Sequence, residues 1–253
     1  MKLGAQLFSL RDRCDTSEKL RNCFKDVKSI GYDIVQASAI CNIEAERLLS
    51  YIEEFDLPVM CTHRSFEEIV ERTEESIAFH KTIRCPVIGL GAMPNEYRGS
   101  LNAIRAFHEK IREPLKKIKA AGLSFAYHNH AFDFDTVDGT SIYDYFINEI
   151  PELDFIHDVY WSIYAGKSPE YYIKLFSESG RMNHIHFKDM KTSPKGPICP
   201  CGDGVIDFTA LASLCKKYGI ENVYVEQDNA PESGDSLAEM KKSYQHLNKI
   251  ITR

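Results

Sequence analysis

LSFAYHNHAFDF, residues 123–134, starts as an apolar run and ends in two histidines, an asparagine and an aspartate. The run has the length and composition of a buried strand, and the polar residues arrive where that strand should stop. Alone they fit a solvated loop, a satisfied core or half of a metal site. The choice turns on whether the pattern recurs along the chain.

It does recur. Similar short apolar runs read as strands at LGAQLFS (3–9), DIVQAS (33–38), PVMCTH (58–63) and PVIGLG (86–91). After the quoted strand come LDFIHD (153–158), MNHIHFKD (182–189) and NVYVEQD (222–228). Amphipathic segments lie between them. SEKLRNCFKDVKSIG runs from Ser17 to Gly31, with cap signals at both ends. EAERLLSYIEEF follows, and SFEEIVERTEESIAFHK reads as one helix with Glu68 three residues after Ser65, the spacing of a capping box. A long helix ending at Gly122 carries Pro114, where a kink is expected. SIYDYFINEI, SPEYYIKLFSESG, DFTALASLCKKYG and SLAEMKKSYQHLNKI complete the set. Eight strands, each followed by a helix, predict a single (β/α)8 TIM barrel occupying 1–253 as one domain. An open doubly wound sheet is the alternative, disfavoured because no glycine-rich phosphate loop follows the first strand. KTSPKGPICPCGDG (191–204) is expected to be a long loop over the active face.

Composition narrows the function. The formal net charge of −6 argues against a nucleic-acid surface. MKLGAQLFSLRD lacks the long apolar stretch of a secretory leader, and no later segment reads as a membrane span. A cytoplasmic location without membrane association is the expectation. The eight cysteines read as small core hydrophobes, with Cys199-Pro-Cys201 a weak redox or metal candidate because no second pair completes a zinc set.

Barrels of this kind carry their chemistry at the carboxyl ends of the strands. His63 ends strand three, and His128-Asn129-His130 ends strand five. Asp158 ends strand six; His184, His186, Lys188 and Asp189 lie along strand seven; Glu226, Gln227 and Asp228 end strand eight. Alternation puts His128 and His130 on one face with Asn129 on the other, pairs His184 with His186, and lets only one of His157 and Asp158 face the mouth. Each residue has a structural reading: a lone strand-end histidine is usually a satisfied one, Asp158 could cap the loop before Trp161, and Glu226 could pair with a lysine. Their joint placement on successive strands favours a site. Imidazole and carboxylate together suit Mn²⁺, Zn²⁺, Co²⁺ or Fe²⁺. His80, His108 and His246 fall in helices and are expected at the surface, and Asp133 is expected to be structural.

In order along the chain, GAQLFSLRD, GYDIVQAS, CTHRSFEEI, YHNHAFDF, DVYWSIYAGKSP, GRMNHIHFKDM, GDGVIDFTAL and YVEQD resemble the segments of the xylose isomerase-like barrels, often called sugar phosphate isomerases/epimerases. The resemblance implies one divalent metal, foremost Mn²⁺ with Mg²⁺ also admissible, held by one residue from each of strands five to eight. Carried over position by position, these are His128, Asp158, His186 and Glu226. Members commonly have Glu where His128 and Gln36 stand, and the epimerases often have His where Trp161 stands. The resemblance implies catalysis by Glu226 and His128, with His63, His130, Trp161, Lys188 and Phe8 contacting a small sugar or sugar derivative, and it admits a homo-oligomer.

The implied chemistry is proton abstraction next to a carbonyl through an enediolate, with Glu226 as base and His128 or His130 returning the proton. Expulsion of a β-substituent would make the same site a lyase or dehydratase of a keto-sugar or keto-glycoside. A non-catalytic carbohydrate-binding barrel is the third reading. A DNA-repair nuclease, also a relative of this family, would need more His and Glu ligands and a basic groove.

Overall fold

A computed structural model describes residues 1–252. Eight parallel strands form one sheet: β1 (Lys2–Gln6), β2 (Ile34–Ala37), β3 (Val59–Thr62), β4 (Val87–Leu90), β5 (Ser124–His128), β6 (Asp154–Asp158), β7 (His184–Phe187) and β8 (Asn222–Val225). Except for β3 and β4, each strand pairs with its neighbour in sequence, and β1 also pairs with β8. The last seam, between β3 and β4, is closed by a bridge from Arg64 to Leu90 and by the Arg64 N–H donating to the Gly89 carbonyl at 2.8 Å. Gly89 permits this approach, since a Cβ there would lie 2.1 Å from the Thr62 carbonyl oxygen. The result is the expected (β/α)8 barrel.

Helices surround the strands: α1 (Ser17–Ile30), α2 (Ala45–Phe55), α3 (Phe66–Glu71), α4 (Thr73–Thr82), α5 (Leu101–Ala120), α6 (Ile142–Glu149), α7 (Val159–Tyr164), α8 (Pro169–Glu178), α9 (Phe208–Tyr218) and α10 (Ser236–Ile251). Their side-chain caps are largely local. Thr16 accepts from the Lys19 N–H, one residue before the start read from the sequence, and Gly31 closes α1 at φ 118°. The Ser65–Glu68 capping box is formed. The segment after it is two helices rather than one, broken at Arg72, whose φ of −125° and ψ of 40° are not helical. Helix α5 runs unbroken through Pro114. Two further departures bear on the mouth of the barrel. Residues after Gln6 turn into a 3-10 segment, Leu7–Arg13, so Phe8 leaves the strand. Strand β6 runs directly into α7, which carries Trp161.

Two cores result. The larger one lies between strands and helices. Inside the barrel, Ile34, Cys61, Val87, Ala126, Ile156 and Tyr224 pack together as a smaller cluster. These side chains fill the middle of the barrel and separate the polar residues of its carboxyl end from His184 and Asn222 at its amino end. All eight cysteines are unbridged and all but Cys41 are buried, including Cys199 and Cys201, which join no ligand cluster among the described residues. The 191–204 stretch contains a short antiparallel pair, Asp189–Met190 with Ile198–Cys199. Asp189 fastens it by accepting from the N–H groups of Gly202, Gly204 and Ile206. Among the described residues, no helix is long and apolar enough to cross a membrane.

His80 corrects the expectation of a surface residue. It is fully buried on α4, with Nδ1–H donating to the Ser76 carbonyl at 2.7 Å and Nε2 accepting from the Thr62 hydroxyl at 2.8 Å. A helix face turned toward the sheet explains it: His80 ties α4 to the end of β3. His108 is half-buried and His246 exposed.

Candidate functional site

Register brings four side chains together. Asp158 is level with His186 in the β6–β7 ladder, His128 is level with Ile156 across β5–β6, and the Glu226 N–H continues the β7–β8 ladder by donating to the Phe187 carbonyl. One potential ligand atom from each of His128, Asp158, His186 and Glu226 lies within 4.8 Å of all the others, and all four residues are buried. The group could therefore hold a metal ion.

The bonding behind each ligand sets its aim. His186 Nε2 lies 2.6 Å from Gln36 Oε1, so it donates there and leaves the Nδ1 lone pair toward Glu226 Oε2, 2.9 Å away. The Gly91 carbonyl, 3.2 Å from His128 Nδ1, fixes the other tautomer and turns Nε2 inward. Asp158 divides its oxygens: Oδ1 accepts the Trp161 N–H at 3.0 Å, capping α7, while Oδ2 faces His128 Nε2 at 3.5 Å. Oδ1 thus fills the capping role, while Oδ2 is turned toward the cluster. His157 points away and bonds Tyr143 and Ser162, as alternation predicts. Asn129, on the opposite face from His128, spans the strands by accepting from the Asp158 N–H and donating to its carbonyl.

A cation fits this donor set on two observations. His128 Nε2 and Asp158 Oδ2 are buried polar atoms without hydrogen-bond partners, which folded proteins rarely tolerate. Formal charge is also unbalanced. Lys188 Nζ lies 3.3 Å from Asp158, 3.0 Å from Glu226 and 3.0 Å from Asp228, so one ammonium faces three carboxylates. A divalent ion would offset the remainder.

These neighbours control protonation. Burial opposes charge on Lys188, yet Asp158, Glu226 and Asp228 outweigh it and hold the ammonium well above its usual range. Burial likewise opposes ionisation of Glu226, but the Lys188 ammonium outweighs it and holds the carboxylate well below its usual value. Burial, reinforced by neighbouring imidazoles, holds His63, His128 and His130 well below the ordinary histidine range. Asp133, beyond the site, is pushed up to about 7 by burial. It accepts from the Tyr127 hydroxyl and the His130 N–H, which ties it to the strand end.

The remaining expected contacts line one pocket of about 500 Å³: Phe8, His63, His130 and Lys188 border it with His128 and Glu226. Trp161 stands behind, its ring 5.3 Å from His130 and 5.1 Å from Lys188 Nζ. Two residues that the sequence did not single out for the site belong beside it. Gln36 orients His186, and Arg64 follows His63 into the pocket wall. The fixed position of Gln36 at the end of β2, facing strands far away in sequence, was the signal for the first.

No curated protein matches the chain by sequence. Solved structures do match in fold. A sugar phosphate isomerase/epimerase from Parabacteroides distasonis ATCC 8503 is 22% identical with a TM-score of 0.80, covering 98% of each chain. An L-ribulose 3-epimerase is 12% identical at a TM-score of 0.73, covering 99% of this chain and 94% of its own. A probable 3-DHS dehydratase involved in petrobactin synthesis, from Bacillus anthracis, is 14% identical at 0.70, covering 95% and 98%. The family model for the xylose isomerase-like TIM barrel matches residues 24–250, and the chain belongs to that family.

Proposed function

We propose that the protein is a divalent-metal-dependent sugar isomerase or epimerase, with Mn²⁺ the first candidate ion and His128, Asp158, His186 and Glu226 its ligands. The observation that carries this reading is the buried cluster of four ligand atoms, two of them without a hydrogen-bond partner. Family membership supplies the sugar.

A divalent ion held there supplies a Lewis acid that stabilises negative charge developing on substrate oxygens. The chain's own groups divide the rest. The contacts from His186, Lys188 and His128 all fall on Glu226 Oε2, and the carboxylate is the base that removes the proton next to the carbonyl. Lys188, held charged, donates to the oxygen that gains charge. A His128 whose Nε2 ligates, with Nδ1 on the Gly91 carbonyl, has no nitrogen left for proton transfer. His130, whose Nδ1 is buried without a partner, is then the group that serves the opposite face of the sugar. His63, Phe8 and Trp161 shape the pocket, with the rings giving apolar faces for a sugar.

A lyase or dehydratase is the second reading. It is favoured by Trp161, an indole beside Lys188 where the epimerases often carry a histidine. The test is a panel of ketoses in D₂O with Mn²⁺-loaded protein, followed by NMR. Deuterium at the carbon next to the carbonyl with an epimer or aldose product supports isomerisation, and loss of a substituent supports the lyase. Binding without exchange indicates a carbohydrate-binding barrel. Full metal content in a His186→Ala/Glu226→Gln double variant would sink the ligand assignment.

A further inference from the structure

A cleft of about 800 Å³ runs beside the candidate site, between the segment after β2 and helices α3 and α4. It is within the size range of ligand pockets, roughly 300–1,000 Å³. It meets the site pocket at Ala39, His63 and Arg64, which line both. The His63 ring stands at the junction, 5.1 Å from the His128 ring and 5.9 Å from that of His186. Ala39 adopts φ 53° there, a conformation that residues with a Cβ seldom take outside functional or tightly constrained positions.

We propose that this cleft is a subsite for a second, uncharged ring attached to the reacting sugar. The substrate is then a ketose-containing disaccharide or glycoside rather than a free ketose or a sugar phosphate. The inference rests on the sugar-processing reading above and adds the length and charge of the substrate.

Charge decides against a phosphate. Glu44, Glu46, Glu68 and Glu75 line the cleft against only Arg64 and Arg72. Both guanidinium groups already face Glu68, at 3.5 and 3.8 Å. A phosphate dianion would enter an excess of like charge, whereas an uncharged ring would not. The walls suit a ring in other ways. Ile40 and Ile43 offer apolar surface on one side. On the other, Arg64 lies over the Phe79 ring at 4.1 Å, giving a flat face for sugar C–H groups. Arg64 Nε and His63 Nε2 are buried without hydrogen-bond partners, and sugar hydroxyls, which both donate and accept, would satisfy them.

The test is calorimetric titration of the Mn²⁺-loaded full chain with isomaltulose, turanose, lactulose, D-fructose and D-fructose 6-phosphate. At least one ketodisaccharide should bind ten-fold or more tightly than D-fructose, and the phosphate should gain nothing. Ala78→Trp, an exposed position on α4 that lines the cleft, should erase that advantage while leaving metal content and D-fructose affinity unchanged. Asn42→Trp blocks the cleft from the facing loop without touching α4 and should act alike. The subsite is overturned if the phosphate binds best, if no ketodisaccharide exceeds D-fructose, or if both tryptophan variants retain the advantage. Failure of wild-type protein to take up Mn²⁺ overturns the metal reading together with the subsite; the preceding outcomes with one ion bound overturn the subsite alone.

Discussion

Two sets of histidines differ in how their ring nitrogens are used. His80 and His157 have both nitrogens bonded to neighbours. His128 is buried and His63 and His130 are partly buried, and each keeps one nitrogen without a partner. The first set is structural and has no bonding capacity left. The second is clustered at the carboxyl end of the barrel and retains capacity for an ion or a substrate. Completeness of hydrogen bonding separates these two sets.

Breaking the ligand cluster that His128 shares with Asp158, His186 and Glu226 should have the largest effect. His186→Ala combined with Glu226→Gln should lower bound metal from about one ion per chain to a small fraction. It should cut turnover by about 10³-fold or more, since several kcal/mol of charge stabilisation and the base are lost together. Elemental analysis and NMR turnover on the same preparations measure both. Normal turnover in the double variant would mean that the cluster around His128 holds no catalytic ion.

The first set should contribute to pH stability. Burial pushes His80 down to about 3, with Arg64 adding to the effect and the Ser76 carbonyl opposing it. The unfolded chain binds a proton at this residue near pH 6.5, whereas the folded chain does so only near 3. Folded stability at His80 is therefore complete above about pH 6.5 and lost as pH falls toward 3, by a few kcal/mol in total. Urea unfolding of wild type should show the midpoint falling between pH 7 and 5, and His80→Gln should flatten that slope. An unchanged slope would mean that His80 titrates normally.

The same contrast explains how much could be read from the residues. Strand-end placement of His128, Asp158, His186 and Glu226 follows from periodicity of two and a repeated strand–helix alternation, both local signals. His80 was misplaced because its partner Thr62 lies on another element. The break at Arg72 was hidden because the apolar spacing continues across it. Gln36 was noted only as a departure from the family's usual Glu and given no contact, because its partner is 150 residues away. Gly89 gives no sign in sequence that a carbonyl will lie against its Cα.

Gln36 provides an intermediate test. It touches His186 and does not belong to the ligand group, so it positions a ligand. Gln36→Leu should weaken Mn²⁺ binding about 10–100-fold, the usual cost of losing a partner behind a metal-binding histidine. Gln36→Glu restores an acceptor and should recover most of that affinity. Competition with a metal-binding dye reads the difference. Equal affinity in the leucine variant would show that Nδ1 of His186 is aimed by packing alone.

The smallest effect separates the two oxygens of Asp158. Oδ1 caps α7 through the Trp161 N–H, whereas Oδ2 belongs to the ligand cluster. Asp158→Asn and Asp158→Ala both remove the charge beside Lys188, so that change cancels when the two variants are compared. Only Asn retains an oxygen for the cap, and Asn is as good an N-cap residue as Asp. Both should lose metal, but in EDTA the alanine variant should be less stable than the asparagine variant by about 1 kcal/mol in urea unfolding. Equal stabilities would mean that the helix start is held by β6 and the packing of Trp161 rather than by the carboxylate. Asp158 would then belong wholly to the set with capacity to spare.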